Sequence, residues 1–126
     1  MATIRSYTSL EQSKKLAEIL PIKSADMTYY ACVKDWRGNS IEPKWGKPTT
    51  LTKEELALPR SNFQEYEYVP CWSLAALFGV LPSATLDSSN DHYYRLHCVE
   101  RYTEWYDNPV DACYEIIIKL HDNKLL

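Results

Sequence analysis

The sequence predicts a small α+β fold in which three principal helices pack on a small, mainly antiparallel sheet around a single core. Two kinds of pattern carry this prediction. Three apolar runs with helical spacing are bounded by caps or prolines, and two other runs are typical of strands. A chain of 126 residues can bury about two-thirds of the surface that its unfolded state exposes, so we expect one domain over residues 1–126.

The first predicted helix covers residues 9–19. Thr8 and Glu11 stand at the spacing of a capping box before its first turn. Pro21 lacks the backbone N–H that a longer helix would need, so the helix must end before it. We expect a surface helix whose buried stripe is formed by Leu10, Leu16, Ala17, Ile19 and Leu20.

A strand is predicted over residues 27–33, because MTYYACV is rich in strand-forming residues. The segment 35–48 then carries the Gly, Asn, Ser and Pro residues that are typical of loops. We expect a long loop or an irregular hairpin there. Thr52 and Glu55 repeat the capping-box spacing, which predicts one or two helical turns that Pro59 would end.

In the middle of the chain, the sequence predicts a short extended segment followed by a helix. Residues 66–69 are expected to be extended, because the residue before Pro70 is pushed away from helical angles. Helical spacing of apolar residues then predicts a helix over 71–80, and its uncharged sequence WSLAALFGVL predicts burial on most sides. Pro82 closes this helix, and a polar connector over 83–91 follows.

The last part of the chain predicts strand structure and then a helix. Residues 93–106 begin with strict alternation and continue with strand-favouring residues. A turn near Glu100 and Arg101 would make a tight antiparallel hairpin, and one long bent strand is the alternative. Asn108 then caps a helix over 109–121 that has a proline at its first position.

This C-terminal helix contains isoleucines 116–118, which lie on more than one of its sides. Either the central helix and the sheet enclose them, or one side is exposed and pairs with a partner or a second copy. We expect enclosure, because the uncharged central helix also needs apolar neighbours. A homodimer through the C-terminal helix is the alternative.

The composition predicts an ordinary cytoplasmic protein. Fourteen Lys and Arg residues against seventeen Asp and Glu residues give a net charge near -3, which is too slight to attract polyanions. No segment approaches the roughly 18 apolar residues of a membrane span, and the N-terminus has no signal-peptide run. We therefore expect no membrane partner, and the charge disfavours nucleic acid.

The cysteines predict free thiols rather than disulfides or a metal site. Without an export signal, the expected state of Cys32, Cys71, Cys98 and Cys113 is reduced. They stand too far apart in sequence for the close ligand pairs of a structural zinc site. We expect no metal and no cofactor.

Catalytic chemistry has only weak signals. Cys71 stands at the start of the predicted central helix, where thiol activation is favoured, but its usual role would be that of a small buried hydrophobe. Paired carboxylates such as Glu54 and Glu55, or Glu65 and Glu67, would need a cleft that raises one pKa before they could serve acid–base chemistry. The glycines stand singly, which excludes a glycine-rich phosphate loop.

Two groups of residues are candidates for binding a partner. In the loop, rings and cations interleave, which suits base stacking or the grip of a peptide, although tryptophans in long loops also fold back over the core edge. The second group lies on the outward face of the last predicted strand. The candidates are Trp36, Arg37, Lys44, Trp45 and Lys47 in the loop, and Tyr93, Arg95 and His97 on the strand.

Three segments carry a family resemblance: YTSLEQSKKLAEILPIKSADM, VPCWSLAALFGVLP and DNPVDACYEIIIKL. Together they resemble a family of short, uncharacterised proteins from gut Bacteroides-type genomes, often encoded by prophages or other mobile elements. The resemblance implies a bacterial or phage-derived cytoplasmic setting. It implies no activity, cofactor or catalytic residue.

The function expected from the sequence is that of a non-enzymatic accessory or regulatory binding protein in such a system, with another protein as its partner. The reason is that aromatic surface is present while no assembled catalytic set is. A small hydrolase or transferase that uses Cys71 or a carboxylate is the first alternative. A weak single-stranded nucleic-acid binder that uses the loop is the second.

Overall fold

The structure is a computed structural model that describes residues 5–56 and 64–126, and it confirms the predicted α+β class. Three principal helices pack with two small antiparallel sheets, so the predicted strands are divided between two sheets. The elements are α1 (Leu10–Ala17), β1 (Met27–Lys34), α2 (Lys53–Leu56), β2 (Glu65–Cys71), α3 (Leu74–Val80), β3 (Thr85–Ser88), β4 (Tyr94–Cys98), β5 (Arg101–Tyr102) and α4 (Pro109–Asp122).

Helix α1 has a capping box, but the box lies one residue later than predicted. Ser9 Oγ accepts a hydrogen bond from Gln12 N at 3.2 Å, and Gln12 Oε1 accepts one from Ser9 N at 3.0 Å. Thr8 does not cap the helix, because its buried hydroxyl accepts a hydrogen bond from Trp72 N at 3.2 Å. The tertiary contact therefore displaces the predicted pairing of Thr8 with Glu11.

The first sheet pairs β1 with β2, and the chain after β1 returns along the outer edge of β1. Thr28 exchanges both backbone hydrogen bonds with Thr49, at 2.8 and 2.9 Å, and Ile41 N donates to Val33 O at 3.0 Å. This segment is an irregular hairpin, one of the two forms expected from the sequence. The capping box that starts α2 is present, and its predicted end at Pro59 lies outside the described residues.

The second sheet has the order β3-β4-β5. Strand β3 lies in the segment predicted as a polar connector, where a strand this short offers too few apolar residues to be recognised. The predicted hairpin is present, but its turn consists of Val99 and Glu100 rather than Glu100 and Arg101. Both turn residues have positive φ, at 52° and 58°, which is the arrangement of a type I′ turn.

Helix α3 begins at Leu74, so the start predicted at residue 71 was wrong. Cys71 belongs to β2, where it pairs with Met27, and Trp72 follows it fully buried. Ser73 is the cap, because its Oγ accepts a hydrogen bond from the backbone of the first turn. The expected burial on most sides is confirmed in part: Leu77 is fully buried, and four half-buried residues pack against the core, while Ala75 and Gly79 are exposed.

Helix α4 confirms the prediction for the C-terminus and lies at the centre of the core. Asn108 Oδ1 caps it by accepting a hydrogen bond from Val110 N at 2.9 Å. The helix packs against β4 and α3. The main core residues are Leu16, Leu20, Trp72, Leu77, Leu81, Leu96, Val110, Cys113, Ile116, Ile117 and Leu120.

The isoleucines of α4 provide a test of this packing. Ile116 and Ile117 are fully buried, whereas Ile118 is half-buried. We expect Ile117→Ala to lower the free energy of unfolding by about 2–5 kcal/mol through lost burial and a cavity. Ile118→Ala, the same change in the same helix, should cost less. Chemical denaturation measures these two variants together with Ile116→Ala, and losses below about 1 kcal/mol at all three isoleucines would contradict the enclosed helix.

The turn between β4 and β5 provides a second test. Valine is β-branched and rarely adopts the left-handed conformation that Val99 has here. We expect the double change Val99→Asn and Glu100→Gly to raise the free energy of unfolding by about 1–2 kcal/mol, because these residues suit a type I′ turn. The control is Ala75→Gly at an exposed position of α3, which should lower the free energy of unfolding by about 1 kcal/mol. A double variant no more stable than wild type would contradict strain in the turn.

Candidate recognition surface

The outer face of the second sheet presents the strand group predicted from the sequence. Alternation along β4 points Leu96 and Cys98 into the core, where both are buried. Arg95 and His97 therefore lie on the opposite face, and Tyr93 stands one step earlier in the same alternation. Tyr93 is 47% exposed.

Two aromatic side chains join Arg95 and His97 on this face. The His97 and Tyr102 rings are stacked, with centroids 4.2 Å apart and planes 5° from parallel, because the two residues are direct partners in the β4–β5 register. The guanidinium carbon of Arg95 lies 4.6 Å from the Tyr102 ring centroid and 4.7 Å from that of Trp105. We call Arg95, His97, Tyr102 and Trp105 the aromatic cluster.

Arg95 is also fixed from the neighbouring strand. Asp87 is its partner in the β3–β4 register, and an Asp87 carboxylate oxygen lies 3.2 Å from Arg95 Nη2. Arg95 Nε is buried and has no hydrogen-bond partner within residues 5–56 and 64–126. The cluster thus keeps an uncompensated donor, which costs about 1–3 kcal/mol. Arg101 Nε is in the same condition, and nothing in the structure explains it.

The rings of the cluster are fixed but still accessible. Tyr102 is 52% exposed and Trp105 is 44% exposed, although each contacts the Arg95 guanidinium. Exposed rings on a sheet, held in one arrangement, are able to contact a partner without losing much conformational freedom. This is the largest grouping of mutually contacting rings and cations in the described part of the chain.

Sequence reasoning placed Arg95 and His97 on this face but missed Tyr102 and Trp105. A hairpin with the correct two-residue turn places Tyr102 opposite His97, so a signal for Tyr102 was present. Trp105 comes after the end of β5, and the pairing of Tyr94 with Tyr106 leaves one residue more on this side than the register of His97 with Tyr102 allows, so the alternation is interrupted. No local pattern therefore predicts the side on which Trp105 lies.

The structure does not bring the loop candidates into one cluster. Trp36 is exposed, with the Arg37 guanidinium 4.5 Å from its ring centroid. Trp45 is half-buried and contacts α1 instead, where Lys14 Nζ lies 5.8 Å from its ring centroid. The two tryptophans thus have different neighbours, and Trp45 covers part of the fold.

The two cations that remain in the loop group also lie apart from these rings. Lys44 lines a small cavity of about 450 Å³, together with Cys32, Ile41 and Glu42. Lys47 is exposed. A row of alternating rings and cations, as base stacking along a single strand would require, is not formed by this loop.

A larger cleft of about 610 Å³ lies beside the first sheet. Its walls are mainly apolar, and the carboxylate in its lining, Asp26, is hydrogen-bonded to the protein itself. Asp26 accepts hydrogen bonds from both the backbone N–H and the hydroxyl of Ser73. The cleft is lined in part by Ile22, Asp26, Met27, Leu51, Tyr68 and Pro70.

Cys71 lacks the environment of a nucleophile. It lies at the end of β2 rather than at a helix N-terminus, and it is fully buried. Burial is the main cause that raises the pKa of the Cys71 thiol above its usual value, in spite of hydrogen bonding from Thr8. Activated thiols have lowered pKa values, so the position and the protonation of Cys71 are those of a structural residue.

The described ranges hold neither a cluster of metal-binding side chains nor a helix that could span a membrane. Within the described ranges, no group of three or more His, Cys, Asp or Glu residues is placed to hold a metal ion. None of the helices in those ranges has the length and apolar character needed to cross a bilayer. The described cysteines are all free thiols.

The buried thiols make stability depend on pH. Burial raises the pKa of Cys113 from 9.0 to about 12, so the folded state favours the neutral thiol. Stability from this group is fully present below the unfolded value of 9.0 and is lost as the pH rises towards about 12. Burial also raises the pKa of Tyr29 from 10.0 to about 12, which adds to the same decline.

We expect Cys113→Ala to make this alkaline decline less steep, because one of the groups that favour the protonated folded state is gone. The measurement is the free energy of unfolding by denaturant at several pH values above neutrality. The slope is compared rather than the absolute stability, which the cavity at residue 113 also lowers. Cys32→Ala, at a half-buried position, is the control for removal of a thiol. Equal slopes for Cys113→Ala and wild type would contradict the prediction.

Comparison with known proteins does not assign this chain to a family. No protein-family model, curated protein or solved structure matches it. The family resemblance noted in the sequence therefore stays a prediction, and the aromatic cluster is the feature from which a function has to be inferred.

Proposed function

We propose that this protein is a non-enzymatic binding module, accessory or regulatory in role, that recognises another protein through the aromatic cluster. Tyrosine, tryptophan and arginine are the residue types that most often dominate the binding energy of protein interfaces. The cluster places one of each in mutual contact on an exposed face. The bacterial or phage-derived cytoplasmic setting in this proposal rests on the family resemblance alone.

The observation that carries the proposal is the fixed position of Arg95. Asp87 and two rings hold its guanidinium, so its rotamer freedom is lost during folding rather than during binding. An arginine with so many intramolecular contacts could serve stability alone. However, the buried Nε without a partner and the strained turn beside Tyr102 both lower stability. Such compromises are expected at a functional surface.

The enzymatic alternative has less support. A Cys-dependent mechanism needs an accessible thiolate, whereas Cys71 is buried and its pKa is raised. Among the carboxylates considered from the sequence, Glu65 forms an exposed ion pair with Lys34 at 3.3 Å, and Glu55 caps α2. These contacts are those of surface and capping residues rather than of an acid–base pair in a cleft.

Two further alternatives concern the partner. Single-stranded nucleic acid is disfavoured because the rings and cations of the loop do not converge. A homodimer through α4 is disfavoured because the fold itself encloses Ile116 and Ile117. Both arguments favour a different protein as the partner and the second sheet as the contact surface.

An unbiased selection tests the proposal. A library of random-sequence peptides is selected on the wild-type protein, and each enriched peptide is then measured on Trp105→Ala and on Trp36→Ala. We expect a set of peptides whose affinity falls about tenfold or more on Trp105→Ala, as for an interface hot spot. The same peptides should bind Trp36→Ala as tightly as wild type. Trp36 is the matched control, because it is also exposed and also has an arginine over its ring.

Three outcomes would contradict the proposal. The first is that no peptide is enriched over a blank surface, and the second is that all enriched peptides bind Trp105→Ala as tightly as wild type. The third is loss of affinity on Trp36→Ala alone, which would assign recognition to the loop. Circular dichroism and thermal unfolding of both variants confirm that each tryptophan was removed from a folded protein.

A further inference from the structure

The charge that is free around the aromatic cluster is negative. Four exposed carboxylates stand within two positions, along the chain, of the exposed rings Tyr93, Tyr102 and Trp105. None of these carboxylates takes part in an ion pair of the described residues. They form what we call the acidic rim: Asp91, Glu100, Glu104 and Asp107.

The basic side chains of the same region do not balance this rim. The charge of Arg95 is already paired with Asp87 at 3.2 Å. Arg101 is half-buried and takes part in no ion pair of the described residues, so it offsets at most one of the four carboxylates. An approaching partner therefore meets rings with unpaired carboxylates at most two residues away along the chain, which is about 7 Å of backbone and within the screening length of about 8 Å at physiological ionic strength.

The rings themselves show that they accept a cation. Arg95 lies within the distance of about 6 Å over which a guanidinium and a ring attract each other. Tyr102 carries the stacked His97 ring in addition to Arg95, whereas Arg95 is the one ring or cation that contacts Trp105 among the described residues, and Trp105 is 44% exposed. Trp105 therefore offers the ring face on which a second cation can stack.

We propose that the aromatic cluster and the acidic rim bind a basic segment of the partner protein, with an arginine or lysine side chain of that segment stacked on Trp105. The inference rests on the proposed function and names the chemistry of the partner. Both parts of the surface select the same ligand, since the ring faces and the rim carboxylates attract cations. The same charges repel the phosphates of a nucleic acid.

The test uses three fluorescent peptides of equal length. In the first, arginine alternates with glycine. In the second, citrulline replaces arginine, which keeps the shape and removes the charge. In the third, glutamate replaces arginine. Fluorescence anisotropy with the 126-residue protein should show the arginine peptide binding about tenfold more tightly than the citrulline peptide, with the preference shrinking as salt is added.

Two pairs of variants distinguish attraction of the peptide by the acidic rim from attraction by the net negative charge of the whole protein. Glu100→Gln with Glu104→Gln should weaken binding of the arginine peptide severalfold and leave the citrulline peptide unaffected. Glu11→Gln with Glu67→Gln makes the same change in net charge at exposed positions of α1 and β2, and it should have little effect. Trp105→Ala should weaken the arginine peptide, whereas Trp36→Ala should not.

Several results would overturn this inference. The first two are equal affinity for the arginine and citrulline peptides, and absence of binding to both. The third is tighter binding of the glutamate peptide, or of labelled oligothymidine, than of the arginine peptide. The fourth is an equal loss of affinity for the arginine peptide in the Glu100/Glu104 and the Glu11/Glu67 double variants. The proposed function is judged separately by the random-peptide selection. Selected peptides that depend on Trp105 but are not enriched in arginine or lysine would preserve the function and reject the basic partner.

Discussion

The packing of the N-terminal half depends on one buried residue, Thr8. Its backbone N–H donates to Trp72 O at 2.9 Å, and its hydroxyl accepts from Trp72 N at 3.2 Å. Its carbonyl accepts from the Tyr29 hydroxyl at 2.8 Å, and its hydroxyl shares a hydrogen bond with Ser13 at 2.7 Å. One residue thus satisfies polar groups of α1, of β1 and of the junction between β2 and α3. Because an unpaired polar group in such a place costs about 1–3 kcal/mol, the first sheet and two helices are fixed relative to one another at this point.

The elements that the sequence predicted well are those whose ends are determined by neighbouring residues. The cap at Asn108 and the capping box at Thr52 are short-range contacts, so residue type and spacing were sufficient to locate α4 and α2. The prediction erred where a distant contact competes with a local one. Thr8 bonds to Trp72 instead of capping α1, and pairing with Met27 takes Cys71 out of the predicted helix. The division of strands between two sheets is likewise a matter of long-range pairing, which alternation alone does not specify.

The candidate surface was predictable to the extent that it lies on one strand. Alternation identified the outward side chains of β4, but the second half of the cluster depends on the position of the turn. That turn consists of a valine and a glutamate with positive φ, and neither residue type signals such a conformation. Trp105 lies between the end of β5 and Tyr106, which pairs with Tyr94 one residue out of the β4–β5 register, so alternation along the strand does not predict its contact with Arg95. Sequence reasoning is least informative where the backbone is strained, and here the strain lies next to the surface proposed to bind.

The two sheets differ in how far apart their strands stand along the chain, and this has a kinetic consequence. Strands β3, β4 and β5 are joined by short turns, so each pairing requires little loop closure. Strand β1 pairs with β2 only after the whole segment from Lys34 to Glu65 has closed into a loop. Local pairings form faster than distant ones, so we expect the second sheet to assemble early and the first sheet late in folding. The sheet that bears the aromatic cluster would then form while the backbone groups of β1 are still unpaired. We expect the chain to be most prone to aggregation during this interval, because unpaired strand edges can pair with other chains.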